Sequence, residues 1–161
     1  MSDAEPDTPG IAAARASGVP FAVMRTERAR NPEESAGFQG IELHQLLRTI
    51  VVRLASDDYV FVLVPGGRRI DWPKLRTHLG TRRLSLPDAE EARDATGYER
   101  GAITPFGATH AWPVIADATV GDGDETIAIG GGGHGVNLHL RVADLLAATN
   151  AELVDVTEPE G

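Results

Sequence analysis

The stretch of this chain best suited to chemistry is one with few side chains to perform it. Thr96-Gly97-Tyr98-Glu99-Arg100-Gly101-Ala102-Ile103-Thr104-Pro105-Phe106-Gly107 sets three glycines, one proline and two aromatics between a helical pattern and a later apolar strand. Glycine admits positive φ or brings backbone close to a ligand, and proline fixes one direction of the turn. Such a loop can aim backbone N–H groups at a bound group with no side chain in the way. It can equally be a tight turn with both aromatics tucked into the core. A second glycine run, Gly130-Gly131-Gly132-Gly133-His134-Gly135, lacks a following Gly-Lys-Ser/Thr and leads into a strand rather than a helix, which argues against a phosphate loop. It reads as a close-approach wall for a ligand or as a flexible hairpin.

Other chemistries find little support. The histidines (His44, His78, His110, His134 and His139) show no His-x-Glu or His-Glu-x-x-His spacing, so no metal site is expected. Asp122, Asp124 and Glu125 lack the twelve-residue calcium-loop pattern and read as a solvated turn. No Gly-x-Ser-x-Gly elbow is present. The absence of cysteine excludes disulfides, thiolate ligands and a cysteine nucleophile, and fits a reducing compartment.

The elements that must position these residues fit one domain of ordinary size, at 161 residues, 42% apolar and 24% charged. No apolar run approaches 18 residues and the first residues are acidic where a signal peptide would be basic, so a cytoplasmic protein is expected. The net charge of −9 argues against a nucleic-acid partner, but seven of the acids lie in the first ten and last twelve residues, and without them the body carries −2. Residues 66–86 hold Arg68, Arg69, Lys74, Arg76, Arg82 and Arg83 against Asp71 alone. That local +5 is either a solvated basic face or a patch that takes RNA phosphates.

Residues 1–9 read as a disordered acidic tail and 10–157 as the domain. Residues 11–17 suggest a short helix closed by Gly18, and 20–24 a first strand. A charged connection, 25–30, leads to a helix capped by Asn31 and opened by Pro32, ending near Gly37 or Gly40. The β-branched runs 46–54 and 59–64 predict a hairpin, the second run continuous enough for a central strand. Asp71 caps a helix stopped by Gly80, 82–85 reads as a short strand, and 87–95 as an acidic helix. Strands are expected at 112–116, 126–129, 136–140 and 151–156, with a hairpin-type turn at 121–124 and a helix at 142–149. Without strict βαβ alternation, the pattern predicts a mixed sheet with helices packed outside.

The segment Gly101-Ala-Ile-Thr-Pro105-Phe-Gly107 after Thr96-Gly97-Tyr98 resembles the signature of the YbaK/ProX family, freestanding aminoacyl-tRNA deacylases related to the editing domain inserted in bacterial prolyl-tRNA synthetases. The similarity runs from about Ser17 to Val156 and takes in Arg48-Thr-Ile-Val-Val, the strand at 59–64, Leu75 to Gly80, the glycine run and Asp144-Leu145-Leu146. It implies an α/β (mixed α+β) fold, with a mixed, partly barrel-like sheet and helices around it. It also implies hydrolysis of a mischarged tRNA, that for proline, with no cofactor and no metal. The expected partners are the acceptor end of misacylated tRNA and an aminoacyl-tRNA synthetase. A synthetase pocket separates substrates differing by one methylene by only about 1–3 kcal/mol, so a second, hydrolytic sieve has a physical purpose.

By that resemblance, backbone around Gly101 holds the ester, Pro105 stiffens the loop, and Thr49 touches substrate or an ordered water. Ile103, Thr104, Phe106, Gly130, Gly131, Gly132 and His134 line the amino-acid pocket. Arg48 stands where the family usually has lysine; it keeps the charge but cannot reproduce a compact ammonium or carry a proton. Gly130 stands where relatives often have serine. The Arg48 departure leaves open a catalytically weakened module that binds a tRNA end or a synthetase. A small-molecule hydrolase on the same scaffold is a third possibility, with no distinctive residue behind it.

Overall fold

The computed structural model describes residues 7–55 and 57–160. Three sheets form its frame. β2 (Leu47–Ala55), β3 (Asp58–Pro65), β5 (Val114–Asp117) and β8 (Glu152–Val154) lie side by side in that order, β2 antiparallel to β3 and the rest parallel. β1 (Ala22–Arg25), β7 (Val136–Arg141) and β6 (Thr126–Gly133) make an antiparallel sheet, and β4 (Arg68–Ile70) pairs with β9 (Thr157–Pro159). The two larger sheets meet where Leu46 bridges Ala128, and among the described strands they do not close into a barrel.

β3 explains the packing. Its alternate residues Tyr59, Phe61 and Leu63 enter one core with Ile127, Ile129 and Leu138 of the second sheet. The intervening Val60, Val62 and Val64 enter another, with Ile70 and with Leu75 of helix α3 (Trp72–Leu79). A strand covered on both faces needs a continuous apolar run, and that is what residues 59–64 provide.

The helices begin and end where local chemistry dictates. Asn31 accepts from the Glu34 N–H at 2.8 Å to open α2 (Pro32–Gln39), and Asp71 from Lys74 N–H at 3.2 Å to open α3. Asp88 does the same for α4 (Ala89–Thr96). α1 (Pro9–Ser17) starts inside the span expected as a tail, capped by Thr8; residues 1–6 lie outside the described residues, as does Ser56 of the hairpin connection. α5 (Val142–Thr149) keeps its expected bounds.

Several expectations are corrected. Residues 82–85 form no strand, only a single bridge from Ser85 to Arg53. The turn at 121–124 joins no hairpin, because β5 and β6 belong to different sheets. Of the strand expected at 151–156 only 152–154 forms, as β8, and β4 and β9 are further short strands outside the expected ones. These pieces are too short to carry a period, and their partners lie roughly forty to ninety residues away. The basic patch is also partly neutralised: Arg69 pairs with Glu158 at 3.2 Å, Lys74 with Asp155 at 3.0 Å, and Arg68 lies 3.9 Å from Asp117.

Asp117 ties this end together. Burial works against its charge, but hydrogen bonds from Thr119, the Val156 N–H (2.9 Å) and Thr157 outweigh it and hold the carboxyl below the usual range. No described helix is long and apolar enough to cross a membrane.

Candidate functional site

The loop between α4 and β5 is held from within. The buried Thr96 hydroxyl donates to Ala92 O and accepts from the Tyr98 N–H. Tyr98 then spans the loop, its hydroxyl donating to Phe106 O at 2.7 Å, and the Thr104 hydroxyl accepts from the Phe106 N–H at 3.3 Å. Gly107 sits at φ +72°, where a Cβ would fall 2.4 Å from Pro9 O. Thr104 and Phe106 are therefore structural: one is fully buried, the other packed into the first core.

Gly101, at φ +93°, lies on the open side of this loop. A Cβ there would meet the His134 imidazole at 3.2 Å, so loop and glycine hairpin face each other at this point. Between them and the start of β2 is a cleft of about 460 Å³, within the usual range for small-ligand sites. Gly101, Ile103, Gly130, His134, Arg48 and Thr49 all border it. Pro105, Thr104, Phe106, Gly131 and Gly132 do not. A Cβ on Gly131 would strike Val136 at 2.8 Å and one on Gly132 the Tyr98 ring at 2.9 Å, so these glycines serve packing of the β6–β7 hairpin.

Strand alternation separates the two β2 residues. Leu47 and Val51 face the first core with Thr49 between them, whereas Ile50 and Val52 face the second. Arg48 shares that second face. Its guanidinium donates to Arg68 O at 2.8 Å and lies 4.0 Å from the Glu160 carboxylate. The Thr49 hydroxyl is buried and has no hydrogen-bond partner among the described residues. A hydroxyl left so costs on the order of 1–3 kcal/mol unless something else engages it, which marks the position for a ligand or water.

The remaining wall comes from the connection expected at 25–30 (Thr26, Arg28 and Arg30) and from the start of α2 (Asn31 and Ser35), with Arg100 on the loop side. Arg30 is paired with Glu34 at 2.9 Å and Arg100 donates to Pro87 O at 2.9 Å. The only signal available for them was the charge density of 25–30. Among the described residues no group of three or more His, Cys, Asp or Glu could hold a metal ion.

Fold and cleft together define a class, and the chain belongs to the aminoacyl-tRNA editing domain family, whose profile its residues 26–148 match. Individual relatives agree. The multifunctional Ser/Thr-tRNA deacylase ProXp-y of Escherichia coli is 26% identical over 148 residues, covering 90% of this chain and 89% of that one. A proline–tRNA ligase of Thermosipho melanesiensis is 30% identical over 95 residues, 59% of this chain but only 16% of the ligase. Among solved structures, one described as "a putative trans-editing enzyme for prolyl tRNA synthetase" superposes with a TM-score of 0.83 over 98% of this chain and all of that one, at 23% identity. That likeness establishes the mixed α/β fold expected from the sequence.

Proposed function

We propose that the protein is a freestanding trans-editing deacylase that hydrolyses the ester of a mischarged tRNA, that for proline. The observation that carries this reading is the Thr49 hydroxyl, without a partner among the described residues and buried beside a cleft whose opposite lip is the Gly101 backbone. The family and the named activity of ProXp-y support it. In the reaction, water oxygen bonds to the ester carbonyl carbon and the bond from that carbon to the ribose oxygen breaks. The ribose oxygen takes a proton and the amino acid leaves as its carboxylate.

An aminoacyl ester is already activated, so a ~10³-fold acceleration requires only about 4 kcal/mol of barrier lowering. One oriented oxyanion donor is typically worth about 10²–10³ in rate. The Gly101 and Ile103 N–H groups, which make no backbone hydrogen bond to a described residue, are our candidates for that donor. Thr49 positions the attacking water or the ester, while Ile103, Gly130 and His134 bound the side-chain pocket. Arg28 at the rim, with Arg30 and Arg100, faces the terminal phosphates.

Arg48 favours a second reading. With its guanidinium on Arg68 O and near Glu160, it is drawn away from Thr49, as expected of a weakened enzyme that still binds a tRNA end or synthetase. The test is deacylation of tRNA(Pro) carrying alanine, cysteine or serine. We expect hydrolysis faster than in buffer on at least one; buffer rates on all three overturn the deacylase. Activity that emerges from a dead parent only in Arg48→Lys supports the second reading.

A further inference from the structure

Of the six cations between residues 66 and 86, three are neutralised by acids from the C-terminal segment and β5, as described above. The other three, Arg76, Arg82 and Arg83, form no ion pair with a described residue. Arg76 and Arg82 line a shallow groove of about 480 Å³ together with Thr77, Gly80 and Thr81. The helix dipole accounts for Arg76 and His78 in the last turn of α3, but not for Arg82 and Arg83, which follow the Gly80 cap. The Thr81 hydroxyl accepts from the Arg83 N–H at 3.3 Å and fixes the chain that carries both arginines.

This groove is not part of the cleft. The two share no lining residue. We propose that the groove binds the phosphodiester backbone of duplex RNA, as a second contact for the nucleic acid whose end enters the cleft. The proposal rests on the tRNA-directed reading above and names where the rest of that molecule sits. The lining favours phosphate over an acidic protein. It offers guanidinium forks and hydroxyls, with Pro73 as its one apolar residue, whereas protein interfaces are anchored by buried aromatic or aliphatic side chains. Duplex nucleic acid carries a charge every ~1.7 Å of axis, so Arg76 and Arg82 on the groove, with Arg83 next along the chain, can meet several phosphates at once.

The test is fluorescence anisotropy of a labelled RNA duplex carrying no amino acid, titrated with the full chain and with R76A/R82A/R83A across a salt series. Each lost phosphate contact should lower the log–log salt slope by about one, so the triple variant should lose a slope of about 3 and bind about tenfold or more weakly at low salt. Unchanged slope and affinity overturn the proposal. Circular dichroism and thermal melts check folding, and if the triple variant is compromised, R82A/R83A, off the helix, should still lose a slope of about 2. Competition by a polyglutamate peptide as effective as that by RNA at equal charge overturns it in favour of an acidic protein partner. Duplex binding lost in the variant while the parent hydrolyses no aminoacyl ester would keep the groove and remove the deacylase; the reverse pattern would keep the deacylase and remove the groove.

Discussion

Two glycine-rich segments look alike in the sequence and do opposite things in the fold. In residues 96–107 the glycines punctuate a loop that side-chain hydroxyls of Thr96, Tyr98 and Thr104 lock from inside, leaving Gly101 open to the cleft. In residues 130–135 most of the run is strand β6, paired with β7, and its backbone is packed hard. The Gly131 carbonyl accepts from the Thr8 hydroxyl and lies where a Cβ on Gly10 would need to be. Glycine is thus required at Gly101 to expose backbone and at Gly131 and Gly132 to bury it. Tyr98 joins them, hydrogen-bonded to Phe106 O and lying against Gly132.

Breaking a packed glycine should cost stability most, and the loop holds one of its own. Gly107→Ala combines positive φ with a Cβ 2.4 Å from a backbone oxygen that cannot yield. We expect about 3 kcal/mol of destabilisation in denaturant titration, with a melting temperature lower by roughly 6–12 °C. A loss under about 1 kcal/mol would mean the loop is not locked against α1. Gly101→Ala should behave differently, because its nearest neighbour is the movable His134 ring. Here about 1 kcal/mol of stability and at least about tenfold of deacylation should be lost; equal losses in both variants would erase the distinction between packed and open glycines.

Thr49→Val sharpens the comparison further. Removing a buried hydroxyl that has no partner among the described residues should leave stability within about 0.5 kcal/mol or raise it, while deacylation falls. Marked destabilisation would show that the hydroxyl is structurally engaged after all.

The smallest effect is on titration. The chain has two tyrosines. The Tyr59 hydroxyl donates to Glu91 at 2.5 Å, and that bond, with burial, pushes its pKa up to about 12; burial alone raises Tyr98. Both therefore hold their protons more tightly in the folded chain. Their contribution to stability is intact below the ordinary tyrosine value near 10 and is lost as pH climbs toward the folded-state values. Phenolate absorbance should develop above pH 10 in the native protein and near the ordinary value after denaturation. Tyr59→Phe should flatten the alkaline loss of stability without touching the cleft.

Where local chemistry is sufficient, the sequence alone determined the outcome. Asn31, Asp71, Gly18, Gly40 and Gly80 mark helix ends because caps act within four residues, and 59–64 reads as a central strand because burial on both faces demands an unbroken apolar run. The motif at 96–107 likewise located one lip of the cleft and the family. Only tertiary structure decided which motif residues face the cleft, since one loop sets Gly101 and the half-buried Ile103 along it and buries Thr104 and Phe106. It also drew Arg48 toward Arg68 and Glu160, and supplied the wall at 26–35 from a segment that reads as a connection and a helix start. Those outcomes depend on partners far away in the chain, and spacing along a sequence carries no record of them.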